Sequence, residues 1–315
     1  MLNYVKFLAK VGAAAAFVGT IGIAGAQEEE SYTTGSLWAK PLSNPIYTDF
    51  AMQKREVNAV YIYQNLPSHI ELANSMGDAQ LDGDIRTLQI QAEIPIMENL
   101  SLVANKAGWI DYNNGDNSLG LDSHQEFSDL SGGLKWSFYQ DENIAAALRG
   151  TVEIPVGSNE VFQGNGRGSM SPALLLTHLG QSYAVNGVIG ADIPFDSSER
   201  SSMGYASASF AYRMTEKLSG LMEINWFRVL ESGHGRAKFS DNPNLDDAVS
   251  FEGGDLINFG APNSEEHRNF VSAALGARFQ VTPSANIGLS YEIPLTTKDQ
   301  GMMDERVTLD IGYTF

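Results

Sequence analysis

Apolar and polar residues alternate strictly in the last two segments of the chain. In "NIGLSYEIPL", Ile287, Leu289, Tyr291, Ile293 and Leu295 fall on one face, with Asn286, Gly288, Ser290, Glu292 and Pro294 on the other. In "RVTLDIGYTF", Val307, Leu309, Ile311, Tyr313 and Phe315 oppose Arg306, Thr308, Asp310, Gly312 and Thr314. A period of two marks a strand with two unlike faces. Each apolar face runs unbroken for about ten residues, the length a tilted strand needs to cross a bilayer.

The same alternation predicts twelve strands, over 55–66, 84–96, 99–111, 126–140, 143–156, 168–180, 181–194, 201–214, 217–231, 267–281, 284–297 and 303–315. Their connectors alternate in length. "MEN", "QDE", "HLGQS", "MTEK" and "TPSA" are short, and the intervening ones are mostly longer, the longest running from Glu231 to His267. Short turns at one end and long loops at the other predict an all-β fold, an antiparallel transmembrane β-barrel of about twelve strands. Lipid cannot satisfy an open sheet edge, so the sheet must close. An even count places both termini at the short-turn end, read as the periplasm. Trp136, Phe138, Tyr139, Tyr212, Phe279, Tyr313 and Phe315 fall near short turns, and Trp109, Phe195, Trp226 and Phe227 near long loops. Two interfacial aromatic girdles are the reading of that distribution.

An acid–Ile–Pro triplet recurs at 93–95, 153–155, 192–194 and 292–294, with 60, 39 and 100 residues between successive Ile positions. The alternation turns Ile94, Ile154, Ile193 and Ile293 outward and the acid and Pro inward. Proline cannot donate to a ladder and belongs at strand ends and bulges. The triplets therefore read as strand-rim grammar spaced by variable loops.

Residues 1–26 are set apart. Lys6 and Lys10 precede "VGAAAAFVGTIGIAGA", and the Ala24-Gly25-Ala26 end is followed by "QEEE". A basic start, an apolar middle and a small-residue end predict a secretory signal peptide cleaved near Ala26. Losing both Lys takes the formal charge from −18 to −20. So acidic a chain is unsuited to nucleic acid, whose phosphates demand Lys and Arg. The chain has no Cys, which excludes disulfides and thiolate metal sites. The domain reading is then a signal peptide at 1–26, an N-terminal periplasmic segment at 27–54 and a barrel at 55–315. Within 27–54, Trp38, Tyr47 and other apolar residues flank Pro41 and Pro45, which deny the segment a helix or central strand. It is expected to pack as an irregular plug across the periplasmic mouth.

The closing unit "SYEIPLTTKDQGMMDERVTLDIGYTF" resembles the last hairpin of outer-membrane barrels of the phenol meta-pathway degradation family. With "VEIPVGSNEVFQGNGRG" and "GGDLINFG", it is also similar to outer-membrane barrels of planctomycete-like bacteria. The resemblance implies a barrel in the bacterial outer membrane and the passage of small, hydrophobic compounds. Terminal Phe315, with Tyr313, resembles the signal read by the barrel-assembly machinery.

Inward positions carry both charge signs: Glu93, Lys135, Arg149, Glu153, Asp192, Arg213, Glu223, Arg278, Glu292, Arg306 and Asp310. Eight-stranded barrels are filled and sixteen-stranded ones hold aqueous channels, so about twelve strands leaves both outcomes open. The functional reading is a passive channel for small solutes. A structural or surface-interaction barrel with a filled lumen is the alternative, and an outer-membrane enzyme a remote one. His69, His124, His178, His234 and His267 have no Ser or acid at a telling offset, so no catalytic, cofactor or metal residue is assigned. "GNGRG" (164–168) opens a strand rather than a helix and lacks anion-loop geometry. Asp241, Asp246, Asp247, Glu252 and Asp255 read as solvated acidic loops, with divalent-ion bridging as a second reading. The expected partners are outer-membrane lipid, the assembly machinery and a small solute.

Overall fold

The computed structural model describes residues 38–72, 77–234, 253–260, 266–298 and 301–315. Residues 1–26, read from sequence as a signal peptide, and Asp241, Asp246, Asp247 and Glu252 lie outside the described residues. Sixteen strand segments are present among the described residues: β1 (Glu56–Asn65), β2 (His69–Glu71), β3 (Asp78–Gln80), β4 (Gly83–Met97), β5 (Leu100–Lys106), β6 (Gly108–Asn114), β7 (His124–Phe127), β8 (Leu130–Gln140), β9 (Ile144–Ile154), β10 (Ser169–Leu179), β11 (Tyr183–Pro194), β12 (Ser202–Arg213), β13 (Leu218–Glu231), β14 (Asn269–Thr282), β15 (Ala285–Pro294) and β16 (Glu305–Thr314). Fourteen of them form one sheet, and β2 and β3 make a small separate hairpin within the first long loop.

The sheet is a closed antiparallel barrel. β1 pairs with β16 on one side (Glu56↔Thr314) and with β4 on the other (Glu56↔Glu93), so first and last strands meet and no edge is left. The barrel has twelve strands because two of them are interrupted. β5 and β6 pair with successive stretches of β4, and β8 and β7 continue the same order. The first break falls at Ala107, whose carbonyl still accepts from Ile90 N–H at 2.8 Å. Gly108 follows because a Cβ there would meet the Leu88 carbonyl oxygen. A bulge at Ala104/Lys106 accompanies the break, and bulges re-aim side chains. Lys106 is turned inward by it and reaches Glu153 at 2.8 Å.

The outer face is apolar along the strands. Leu134, Leu148, Ile189, Met222, Leu275 and Leu289 are among many large hydrophobics exposed there. A water-soluble protein rarely shows one apolar patch above a few hundred Å². A belt of this kind around a closed barrel faces lipid. Trp136, Phe138 and Tyr139 are exposed at the short-turn end of β8, and Phe195 at the long-loop end of β11. Phe227 departs from the girdle reading. It alternates with Trp226, is buried, and faces the interior, because two adjacent strand residues cannot share a face.

Candidate functional site

Residues 38–54 lie inside the barrel, and no residue of the segment belongs to a strand. The segment begins at the short-turn end, where the Trp38 carbonyl accepts from Ser219 at 2.6 Å and the Arg213 guanidinium sits 4.4 Å from the Trp38 ring. It rises to a turn at 44–48, closed by Thr48 N–H donating to the Asn44 carbonyl at 2.9 Å. There Tyr47 stacks on Tyr205 at 4.2 Å and lies 6.2 Å from Phe227. It then descends to Gln53, whose amide donates to Ser101 and to the Met97 carbonyl, back at the short-turn end. Pro41 and Pro45 explain why this stretch stays irregular: each removes an N–H that helix or ladder would need.

The wall holds the segment chiefly by its main chain. Rising carbonyls are bound by Asn186 (Ala39), Arg306 (Ser43), Gln91 (Pro45) and Asn105 (Ile46), at 2.8–3.2 Å. At and below the turn, Arg149 donates to Tyr47 O at 2.6 Å, Ser137 to Ala51 O at 2.7 Å, and Lys135 to both Phe50 O and Met52 O. Four main-chain amides are also met. Glu223 accepts from Leu42 N–H and Ser43 N–H, Thr177 from Ala51, and Glu93 from Lys54. An unpaired main-chain group buried away from water is costly, so these bonds are what allow an irregular segment inside a barrel.

Ion pairs surround this seat. Lys135 lies 2.6 Å from Glu93 and 3.2 Å from Asp49, and Lys54 lies 2.6 Å from Asp49 and 2.9 Å from Glu56. Lys40 bridges Glu56 and Asp310, and Arg278 pairs with Asp310 at 2.7 Å. Burial pushes the Asp49 carboxyl up, but the Lys135 and Lys54 ammonium groups outweigh it and hold Asp49 well below the usual carboxylate range. Burial pushes Lys54 down, and Asp49, Glu56 and Glu93 more than reverse that. A space of about 40 Å³ lies among Lys40, Asp49, Glu56, Asn105 and Arg149.

Above the turn the filling is apolar and comes from long loops. Leu256, Ile257 and Phe259, from the stretch between β13 and β14, are buried beside Phe162, Met302 and Met303. Two arginines fasten these loops to the wall. Arg200, between β11 and β12, bridges Glu153 and Asp192 at 2.5 Å each. Arg306 on β16 takes both oxygens of Asp255, at 2.7 and 2.9 Å, and Glu292 at 3.5 Å. Asp255, read from sequence as a solvated loop acid, is instead buried, because a bidentate arginine partner meets it inside.

Of the inward residues named from sequence, Glu93, Lys135, Arg149, Asp192, Glu223, Arg278, Glu292, Arg306 and Asp310 are buried, and Glu153 and Arg213 are half-buried. All four triplet acids are thus bonded inside: Glu93 to Lys135, Glu153 and Asp192 to Arg200, and Glu292 to Arg306. Ile94, Ile154, Ile193 and Ile293 are exposed on the outer face. Arg200 and Lys106 were not singled out by the strand pattern; the first lies in a loop and the second beside a bulge. In "GNGRG", Gly164 N–H donates to Asp129 and Gly166 N–H to Glu199, so the chain's own carboxylates occupy that backbone. His124 approaches Glu160 at 3.3 Å, and His178 approaches the Tyr183 hydroxyl at 3.1 Å. Among the described residues no cluster of three or more His, Asp or Glu side chains is arranged to hold a metal ion.

A closed twelve-stranded barrel with a lipid-facing belt and an occupied polar interior defines a transmembrane β-barrel of the outer-membrane type. No family model and no curated protein matches the chain. Among solved structures, it is similar to an outer membrane channel from Pseudomonas putida F1, with a TM-score of 0.58 at 12% identity, over 84% of this chain and 96% of that one. That likeness is one of fold, the fold that the closing hairpin's resemblance implies. Looser likenesses, on which nothing rests, are to the NanC porin (TM-score 0.48, 9% identity, 83% and 98% covered) and to the CymD monoaromatic hydrocarbon channel (0.43, 9%, 84% and 89%).

Proposed function

We propose that the protein is a passive channel of the bacterial outer membrane for small solutes, hydrophobic ones among them. In this reading residues 38–54 are a plug that closes its periplasmic half. One observation carries it: the segment fills the short-turn half of the lumen without joining the sheet. Its withdrawal would break main-chain and side-chain bonds to wall side chains but no ladder bond, so the barrel can stay closed on itself while the short-turn half of the lumen opens. The wall it would uncover carries both charge signs and favours neither cations nor anions strongly. The apolar chamber beyond, around Tyr205, Phe227 and Phe259, suits apolar solutes. The short-turn end would face the periplasm, with both termini there, after signal-peptide removal near Ala26. Tyr313 and Phe315 would serve the assembly machinery. The filled lumen favours the second reading, a structural barrel without conduction. Vesicle swelling separates the two. A chain lacking residues 27–50 should admit small neutral solutes well above the rate of protein-free vesicles. Permeability no higher than that of protein-free vesicles would leave the structural reading in its place.

A further inference from the structure

The seat of the segment reads what every peptide has. Nine main-chain carbonyls, from Trp38 to Met52, are bound by eight wall side chains, and four main-chain amides by three more. Its apolar side chains are held by packing, as Tyr47 is on Tyr205, while Lys40, Ser43, Asn44, Asp49, Gln53 and Lys54 bond to the wall through their side chains. A wall that merely needed filling could do so with apolar side chains, as the chamber beyond the turn is filled from the long loops. Main-chain hydrogen bonds supply affinity with little dependence on sequence, and side-chain pockets supply the selectivity.

We propose that the lumen wall is a binding site for irregular polypeptide, with residues 38–54 as its resident occupant. When that segment leaves, the site takes a free peptide of similar length. The ligand class is a helix-free oligopeptide, bent once, whose two arms lie toward the short-turn end. Carbonyl acceptors dominate what the wall recognises, because its inward groups here are mainly donors: Gln91, Asn105, Lys135, Arg149, Asn186 and Arg306. The two amides gripped by Glu223 set the direction of the chain, since a reversed peptide would present carbonyls to a carboxylate. Proline is tolerated wherever the resident carries it, at positions 41 and 45, where the wall asks for no N–H.

This inference rests on the plug reading, and the experiment separates the two. A tethered segment competes at an effective concentration of about millimolar, so a free peptide must meet a weakened resident. The full chain is therefore made with Tyr47→Ala, and separately with Ser43→Pro, which removes one amide donated to Glu223. Heat-modifiable gel mobility reports that each barrel is folded. Both variants should conduct more than the wild-type chain in planar bilayers. Added at millimolar concentration, a synthetic peptide of residues 38–54 should return the current to the wild-type level. So should a peptide scrambled at its other positions that keeps Lys40, Pro41, Ser43, Asn44, Pro45, Asp49, Gln53 and Lys54 in place. A linear maltooligosaccharide of similar length should not. Closure by the native-order peptide alone would show a seat specific to its own segment and overturn the proposal. So would closure by the sugar, or conduction that neither peptide reduces. If both folded variants conduct no more than wild type, the plug reading itself fails and the inference falls with it.

Discussion

Tyr47→Ala tests the seat at the turn of the inner segment. The Tyr47 ring is buried, stacked on Tyr205 at 4.2 Å and within 6.2 Å of Phe227. In the unseated state it returns to water, so its burial counts toward the seated state alone. Truncating a buried aromatic to Ala costs about 3–5 kcal/mol in a core. The lower figure suits a segment that can partly collapse into the gap, and about 3 kcal/mol is roughly a hundredfold in the seated-to-unseated ratio. The chain has no Cys, so Ala51→Cys provides a single reporter thiol at a fully buried position on the descending arm. If reseating is fast relative to labelling, the maleimide rate follows the unseated population. Adding Tyr47→Ala should then raise the rate by on the order of 10². The folded barrel should be unchanged in gel mobility, since Tyr47 belongs to no strand. An unchanged labelling rate in a folded double variant would refute the reasoning, because the ring would then contribute nothing to seating.

Further outcomes follow from other parts of the structure. Arg200→Gln should leave Glu153 and Asp192 short of a cation, and breaking one side of a buried ion pair costs about 3–5 kcal/mol; proteinase K should then nick 195–201 much faster, and wild-type resistance would contradict the latch. Phe315, which stacks with Tyr313 at 6.5 Å, should matter to assembly more than to the finished barrel; Phe315→Ala is expected to lower insertion into the outer membrane while detergent refolding proceeds normally, and wild-type insertion would count against a signal role. An epitope tag within 235–252 should be reached by antibody on intact cells, and a tag at Pro283–Ser284 should be protected; labelling of the latter would invert the orientation.

The strand layout was legible because its cause is local. Lipid outside and a polar interior impose period two on every strand, and Ile287 to Leu295 shows it without any knowledge of neighbours. The proline-bearing, aromatic stretch around Trp38 and Tyr47 was also visible as a segment needing a surface. The pairing inside the lumen was not. Which cation meets Glu153 or Glu292 depends on contacts far apart in sequence, Arg200 and Arg306 included, and alternation carries no such information. Phe227 was misplaced because proximity to a strand end says nothing about which face a residue takes; its neighbour Trp226 decides that. Leu256, Ile257, Phe259, Met302 and Met303 lie in segments that look like solvent loops, and only the closed barrel provides the apolar chamber they fill. The break at Ala107 was hidden for a similar reason, since the close approach of Gly108 to Leu88 appears only once β4 and β6 are paired.

The central claim is that a segment outside the sheet closes the short-turn half of the barrel. Single-channel conductance in a planar bilayer tests it most directly, comparing the full-length chain with one lacking residues 27–50 in the same membrane and salt. The shortened chain should show discrete, long-lived open levels well above the full-length current. Equal conductance of the two, with both barrels folded, would contradict the account.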